Sequence, residues 1–462
     1  MIKSISIKGF RGFGIEKKIN FSLPNGNSGS GLTTLVGANN CGKTTIIEAI
    51  RCFNGFPSPS FSVGRRNLQA KDRIKIVLTE DDDNTLTIET IDVGGSLTKK
   101  ECGNVNGQLA RNYYVLQSRR FVEYEFGKIE ESRDTYITNR NVIEDKRSSS
   151  LSVFQARLFE IQKNKAEFDA LLGKILGKDI NWMIDQNDNG SYFVKFNFNG
   201  KTHTSEGLGD GIWSIFTICD ALYDSTPKST IVIDEPELSL HPAYQKKLSD
   251  VIMEYSKDRQ IIICTHSPYF IKWEAIVNGA NLIRTVKDED GNINTFGISE
   301  ESRKKIKGLL RDMNNPHVLG INANEIFFLE DKIILVEGQE DIVIFKKISE
   351  KLNETFDGEF FGWGVGGAPK MNIFLQLFKD LGYKKVVAIF DGDKSDEMEL
   401  SKVQFPEYKF IKLPTDDIRD KEERSIRGKS GITNQNGNLK DEYEVTARKL
   451  ITESNQFFQN KN

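Results

Sequence analysis

The sequence predicts an α/β protein built from two unequal units, and three observations carry that expectation. The first is the nine-residue stretch Gly37–Thr45, GANNCGKTT, set between a short β-branched run, LTTLV, and a run with apolar residues at helical spacing, TTIIEAIRCF. The second is a pair of branched apolar runs, STIVIDEPELSLHP (229–242) and RQIIICTHSPYF (259–270), which read as buried parallel strands with polar residues at their C-terminal ends. The third is the recurrence of strand-then-acid late in the chain, at KIILVEGQED (332–341) and KKVVAIFDGDKSDE (384–397). At 462 residues the chain exceeds one ordinary domain. The expected division is a larger unit over 1–325 and a smaller α/β unit over 326–462.

Residues 1–24 read as two strands joined by a Gly-rich turn, and NGNSGSG (25–31) as a loop. The stretch that follows fits G-x-x-x-x-G-K-[ST], with Gly37, Gly42, Lys43 and Thr44 in the fixed places on a strand-to-helix turn. Gly37 and Gly42 let the backbone curl so that successive N–H groups converge on phosphate oxygens. Asn39, Asn40, Cys41, Gly42, Lys43, Thr44 and Thr45 are therefore the expected nucleotide contacts. The helix N-terminus adds positive potential. Lys43 reaches the β- and γ-phosphates of ATP in this reading, and Thr44 offers its hydroxyl to Mg²⁺.

The segment 55–66 is a breaker-rich loop, and RIKIVLTE and TLTIETIDV are alternating strands around the acidic turn DDDN. YYVLQ (113–117) is a further short strand; Arg119 and Arg120 beyond it suit either a phosphate contact or a solvated surface pair. Charge rises over 121–180, where LSVFQARLFEIQKNKAEFDALLGKILG carries apolar residues at helical spacing. This is an expected helical insertion, about 125–182, either carrying a dimer contact or forming a plain arm of the same domain. Strand alternation returns in SYFVKFNFNGK (191–201), and SEGLGDGIWSIFTICDALYD (205–224) joins a Gly-rich loop to an apolar helix. Asp234, at the end of its strand, suits a metal bound to the phosphates, and Glu235 suits the base that polarises the attacking water. His266 ends the neighbouring strand, where an imidazole can touch the γ-phosphate or that water.

Composition sets bounds on partners and compartment. Net charge is −3, so a DNA contact has to come from local basic patches rather than a global field. No run approaches the ~18 apolar residues of a membrane span, and MIKSISIKGF lacks the apolar region of a signal peptide. The five cysteines form no CxxC and no paired framework, which suits a reducing cytoplasm and argues against structural zinc.

GANNCGKTT, LGDG, IVIDEPELSLHP and THSP resemble the ABC-type ATPase domains of structural-maintenance and RecF-like proteins over about residues 1–300. The resemblance implies that Leu208–Gly211 is the signature loop, with Gly209, Asp210 and Gly211 completing the nucleotide site of a second protomer. Asp210 stands where a serine is usual. Gln117 is the candidate for the family's glutamine loop.

In the second half, Glu337 follows the strand IILV, Gly338 opens a helix carrying Glu340 and Asp341, and Asp391-Gly392-Asp393 follows VVAIF. Acids at the ends of two parallel strands repel one another, and Mg²⁺ or Mn²⁺ relieves that repulsion. Two such ions can activate water and stabilise a leaving oxygen in phosphodiester hydrolysis. EG and DxD resemble the marks of the TOPRIM domain. The order ABC-type ATPase then TOPRIM is similar to the OLD (overcoming lysogenization defect) nucleases, whose relatives include effectors of Gabija and some retron anti-phage systems. The resemblance implies metal-dependent DNA cleavage, with dimers or tetramers built through the ATPase half. It implies Glu337, Asp391 and Asp393 as metal ligands and Asp341 as a further one. For a later acid, LPTDDIRD (413–420) offers Asp416, Asp417 and Asp420, of which Asp416 is assigned to the metal; Lys429, in RGKSG, is assigned to the scissile phosphate. The last ~40 residues read as polar, rich in Lys and Glu, and loosely ordered in part.

The leading expectation is an ATP-regulated DNA endonuclease serving anti-phage defence. The alternative is an ATPase sensor or repair-type ATPase whose TOPRIM domain only regulates. A strand-passing topoisomerase needs a tyrosine nucleophile in a separate DNA-binding module, and no segment matches one. With no DNA-reading module in view, a co-encoded protein or structured nucleic acid is an expected targeting partner.

Overall fold

The computed structural model describes residues 1–460 apart from 56–57, 63, 68–69, 105–108, 119–124, 127–131, 134, 136–153, 178–180, 199–200, 205–208, 311–317, 329–330 and 423–427. The expectations for Arg119, Arg120 and Leu208, and for much of the insertion, lie outside the described residues. The chain divides into two compact units, Met1–Thr295 and Phe296–Asn462. The division comes earlier than residue 325 for a visible reason. The helix Glu300–Leu310 buries Ile306 and Leu309. Its Ser302 hydroxyl donates to Asp380 at 2.6 Å, at the end of the helix Met371–Asp380, and Ser299 donates to the same carboxylate.

In the first unit, β1 (Ile2–Lys8), β2 (Lys17–Asn20), β4 (Lys75–Glu80), β5 (Thr85–Thr90) and β6 (Thr98–Cys102) form an antiparallel sheet in the order β2-β1-β4-β5-β6. A six-stranded sheet holds β3 (Leu32–Val36), β7 (Tyr114–Leu116), β12 (Thr230–Asp234), β13 (Gln260–Cys264), β14 (Asn281–Lys287) and β15 (Ile293–Gly297), in the order β15-β14-β3-β13-β12-β7. The five strands from β14 to β7 run parallel. Every residue of β3, β12 and β13 is buried, as branched strands covered on both faces require. Successive residues serve opposite cores. Ile231, Ile233, Ile261 and Ile263 join one cluster, whereas Val232 and Ile262 join another with Ile5, Ile7 and Ile76 of the antiparallel sheet.

A further sheet holds β8 (Glu125–Phe126), β9 (Asn181–Gln186), β10 (Tyr192–Phe198) and β11 (Lys201–Thr204), in the order β11-β10-β8 with β9 also paired to β10, and the described helices of the insertion pack into the same unit. The helices Phe154–Lys163 and Ala166–Leu176 bury Phe159, Phe168, Leu172 and Ile175 in the first cluster, beside the helix Asp210–Asp224. Phe168 meets Trp182 and Phe216 edge-on at 6.0 and 5.7 Å. Arg157, almost fully buried, pairs with Asp220 at 2.7 Å and Asp224 at 3.0 Å. Removing either side of so buried a pair leaves an uncompensated charge, which costs about 3–5 kcal/mol.

The second unit is a parallel sheet of β16 (Lys332–Leu335), β17 (Glu359–Phe360), β18 (Lys385–Phe390) and β19 (Lys409–Lys412), in the order β17-β16-β18-β19. The helix Gln339–Leu352 follows β16, and the helix Ser395–Gln404 follows β18. A short parallel pair, β20 (Asp417–Arg419) and β21 (Gly431–Thr433), comes late in the chain. The expected loose tail is corrected here: Glu444–Gln459 is a helix with Ala447, Leu450, Ile451, Ser454 and Phe458 buried. Those positions form one helical stripe, which a composition rich in polar residues conceals.

Candidate functional site

Two sites stand at the C-terminal ends of parallel strands, one in each unit. In the first, β3 runs into the turn 37–42 and then into the helix Lys43–Arg51. Gly42 caps this helix with φ 95°, a conformation that favours glycine, and a Cβ there would also press on the Ile293 side chain. The Lys43 ammonium is buried and donates to the carbonyls of Gly37 and Ala38, both at 2.8 Å. An open cleft of about 540 Å³ lies over the turn, lined by Asn39, Asn40, Cys41, Gly42, Lys43, Thr44 and Thr45, together with Arg11, Glu235, His266 and Lys287. The turn, the base candidate and the histidine thus meet in one space.

The neighbouring strand ends hold the catalytic candidates. Asp234 closes β12 and is buried. Glu235 takes a left-handed backbone, φ 49°, and its N–H donates to the Cys264 carbonyl of β13 at 2.8 Å. Such a conformation costs a non-glycine residue energy and persists only where its surroundings impose it. His266 is held below the ordinary imidazole range, first by burial and then by the Lys43 ammonium, so it is neutral near pH 7 and able to accept a proton.

One functional candidate escaped sequence reasoning. Glu237 accepts from the Thr265 hydroxyl at 2.8 Å and from the His266 N–H at 2.5 Å, which fixes the turn carrying His266. Burial raises its carboxyl above the usual range. Its signal was the last acid of DEPE, but its orientation depends on β12 and β13 lying side by side. Gly209, Asp210 and Gly211 lie at the start of the helix Asp210–Asp224 and do not line the cleft. Gln117 follows β7 and does not line it either.

In the second unit, Glu337 follows β16 and Asp391 follows β18, the strand beside it. The Asp391 N–H donates to Glu337 Oε1 at 3.0 Å, and the Ala368 N–H donates to Oε2 at 3.2 Å. The glycine-rich segment wraps the same residue: the N–H groups of Gly366 and Gly367 donate to the Glu337 carbonyl at 2.9 and 2.8 Å. Asp341 accepts from the Gly338 N–H at 2.8 Å. Burial, reinforced by neighbouring carboxylates, pushes Asp341 up to about 7 and Asp391 up to about 8. Asp417 is among the charges that raise both. Lys429 pairs with Asp393 at 2.7 Å and lies 3.7 Å from Asp417. The structure therefore brings together Glu337, Asp341, Asp391, Asp393 and Lys429.

The structure separates Asp416, the late acid assigned to the metal, from its neighbour Asp417. Asp416 is exposed and accepts only a long bond from Ser430, 3.4 Å, among the bonds found for it. Asp417, one residue on, is buried and faces the cluster with Lys421 at 2.5 Å. Asp416 lies just before β20 and Asp417 is its first residue, and sequence alone does not say which of two adjacent aspartates turns inward. Asp420 pairs elsewhere, with Lys440 at 2.9 Å.

The donor set suits a hard divalent cation, being all carboxylate oxygen. The carboxyls of Asp341 and Asp391 are raised first by burial and then by neighbouring negative charge, and a cation would relieve the second. Among the described residues, no three carboxylate, histidine or cysteine side chains already stand close enough together to hold an ion.

Three domain families match the chain. An AAA ATPase domain covers residues 1–93, an AAA domain of the AbiEii, type IV TA system kind covers 104–272, and an overcoming lysogenization defect protein-like TOPRIM domain covers 328–393. An OLD nuclease of Thermus scotoductus is 27% identical over 85% of this chain and 82% of its own length. The Old nuclease of Escherichia phage P2 is 30% identical over 28% of this chain and 22% of its own. The Septu protein PtuA of Bacillus thuringiensis is 24% identical over 63% of this chain and 78% of its own. The fold is α/β, and the chain carries AAA ATPase domains followed by an OLD-like TOPRIM domain.

Proposed function

We propose that this protein is an ATP-hydrolysing, divalent-metal-dependent DNA endonuclease acting in anti-phage defence. The observation that carries the nuclease reading is the placing of Glu337 and Asp391 at adjacent strand ends, with Asp341 and Asp417 acting on Asp391 and Lys429 beside them. Glu337, Asp391, Asp393, Asp341 and Asp417 would hold Mg²⁺ or Mn²⁺. The bound ions would supply an activated water and stabilise the leaving oxygen of a phosphodiester. Lys429 offers a cation to the phosphate undergoing attack. The nuclease names of the relatives and the TOPRIM match support this reading, and the Septu relative supports the defence role.

In the first unit, the N–H groups of the turn and Lys43 would bind the ATP phosphates, with Thr44 and Asp234 on Mg²⁺. The Lys43 ammonium would exchange the carbonyls of Gly37 and Ala38 for phosphate oxygens. Glu235 would take the proton of the attacking water, and neutral His266 would orient it. Because Gly209, Asp210 and Gly211 lie off this cleft, a second copy of the chain would complete the site, giving a homodimer or homotetramer through the ATPase half. Free cysteines throughout fit a reducing cytoplasm. Among the described residues no helix is long and apolar enough to cross a membrane.

The test is nicking of supercoiled plasmid with Mg²⁺ or Mn²⁺, with and without ATP, beside Asp391→Ala. Metal-dependent nicking that vanishes in Asp391→Ala is the expected result. One observation favours a second reading, a TOPRIM domain that only regulates: no three candidate ligands yet stand within reach of one ion. Nicking by the wild type that persists in Asp391→Ala would favour that reading.

A further inference from the structure

The sequence holds four tryptophans. Trp182, Trp213 and Trp273 are buried at 0%, 3% and 3% exposure, whereas Trp363 is 39% exposed. Among the described residues it is the one aromatic ring in the set of exposed large apolar side chains. An indole left in water forgoes the burial that its large apolar face offers, so its place in the fold needs a reason.

That place is the glycine-rich segment around Glu337. Gly362 and Gly364 flank Trp363 with φ 54° and 80°, and a bridge between these two glycines closes the turn. The turn is anchored on both sides. Phe361 is buried against Phe374 and Phe378, at 4.7 and 5.4 Å between ring centres. After the turn, the Val365 N–H donates to the Val336 carbonyl at 3.0 Å, and the next three N–H groups hold Glu337. A Cβ on Gly364 would stand 2.7 Å from Gly338 Cα. The backbone of Trp363 is therefore within about 8 Å of the Glu337–Gly338 turn. Cations attend the same carboxylates: Lys394 acts on Glu337, and Lys429 pairs with Asp393. An exposed aromatic ring on a turn anchored to a site with cations is a combination suited to a single nucleic-acid strand, the cations taking phosphates and the ring taking a base.

We propose that Trp363 stacks on a base of the DNA strand next to the scissile phosphate and so holds the strand across the acidic cluster. The proposal rests on the endonuclease reading of that cluster and gives it a strand-positioning residue. Stacking tolerates any base, so Trp363 contributes to binding with little sequence preference.

The test uses the full chain carrying Asp391→Ala, which prevents cutting, and a labelled oligo-dT as probe. With the other three indoles buried, quenching of tryptophan emission by the unlabelled oligonucleotide reports on Trp363. The expected result is quenching that saturates with binding and is absent from Trp363→Phe. Affinity should fall about ten-fold in Trp363→Ala and stay within about three-fold in Trp363→Phe, because the ring rather than the indole N–H does the stacking. In the chain with Asp391 intact, Trp363→Ala should raise KM for DNA by a similar factor and move kcat little. Unquenched emission on binding, or equal affinity in Trp363→Ala, overturns the proposal. If plasmid nicking is absent while Trp363-dependent quenching persists, the endonuclease reading fails and the stacking stands. If nicking is present with an unaltered KM in Trp363→Ala, the stacking fails and the endonuclease reading stands.

Discussion

The two sites share a scaffold and differ in sign. Each lies where parallel strands end and helices begin, the place where open α/β sheets gather their loops. At the first, backbone N–H groups and Lys43 present positive charge, with Glu235 and His266 at the margin of the cleft. At the second, carboxylates dominate, and backbone N–H groups are spent on holding Glu337 and Asp341. One is built to receive an anion, the other a cation that in turn receives an anion. The difference lies in what the strand ends carry: Gly-x-x-x-x-Gly-Lys in one, Glu-Gly and Asp-Gly-Asp in the other.

The largest effects should separate the two sites. Lys43→Ala should lower ATP turnover by about 10³-fold, through loss of the phosphate clamp, and should leave metal-dependent nicking without ATP in place. Asp391→Ala should lower nicking by about 10²-fold or more and leave ATP turnover within two-fold of wild type. Loss of both activities in either variant would show that the sites are one functional unit and would break the comparison.

Within the first site, Glu235→Gln keeps shape and removes the base. ATP affinity should be retained while turnover falls by about 10²- to 10⁴-fold, read by nucleotide binding beside phosphate release. Turnover at the wild-type rate would exclude Glu235 as the base.

Within the second, adjacent aspartates give a sharper contrast. Asp417→Asn should lower metal affinity or nicking about 10- to 100-fold, whereas Asp416→Asn should change either by less than about two-fold. Metal titration of both variants checks this, and the reverse ranking would restore Asp416 as the ligand.

The smallest effect is on stability. Asp391 keeps its proton up to about 8 in the fold, against 3.8 for the ordinary group. Its folded affinity for the proton is raised, so it contributes stability that is present at low pH and is lost as pH rises through about 8. Thermal unfolding with a chelator should therefore show a lower transition for this unit at pH 9 than at pH 6. Added Mg²⁺ should shrink that difference, as should Asp391→Asn. A transition independent of pH in the presence of chelator would show that Asp391 carries no such charge strain.

Much of both sites was legible because their residues are contiguous. GANNCGKTT names its own turn, since glycine at 42 is the residue that the left-handed cap and the Ile293 side chain permit. IVIDEP and IICTHS announce buried strands by branching alone. What stayed hidden depended on side-chain direction. Glu237 reaches Thr265 and His266 only because β12 and β13 are neighbours in register. Asp417 is buried where β20 begins while Asp416, just before the strand, stays exposed. The helix Glu444–Gln459 was masked by its charged composition, although its buried stripe is regular. The earlier boundary between the units follows from Ser299 and Ser302 finding Asp380, a contact some 80 residues apart in sequence.

The sequence by itself determined the α/β class, the phosphate turn and the two pairs of strand-end acids, because local spacing and residue type specify strands, turns and caps. Only the tertiary structure decided which acids face one another, which serine pair binds the second unit's Asp380, and that one tryptophan is held in solvent beside Glu337. Those outcomes depend on strand order, register and burial, which bring together residues that no local pattern relates.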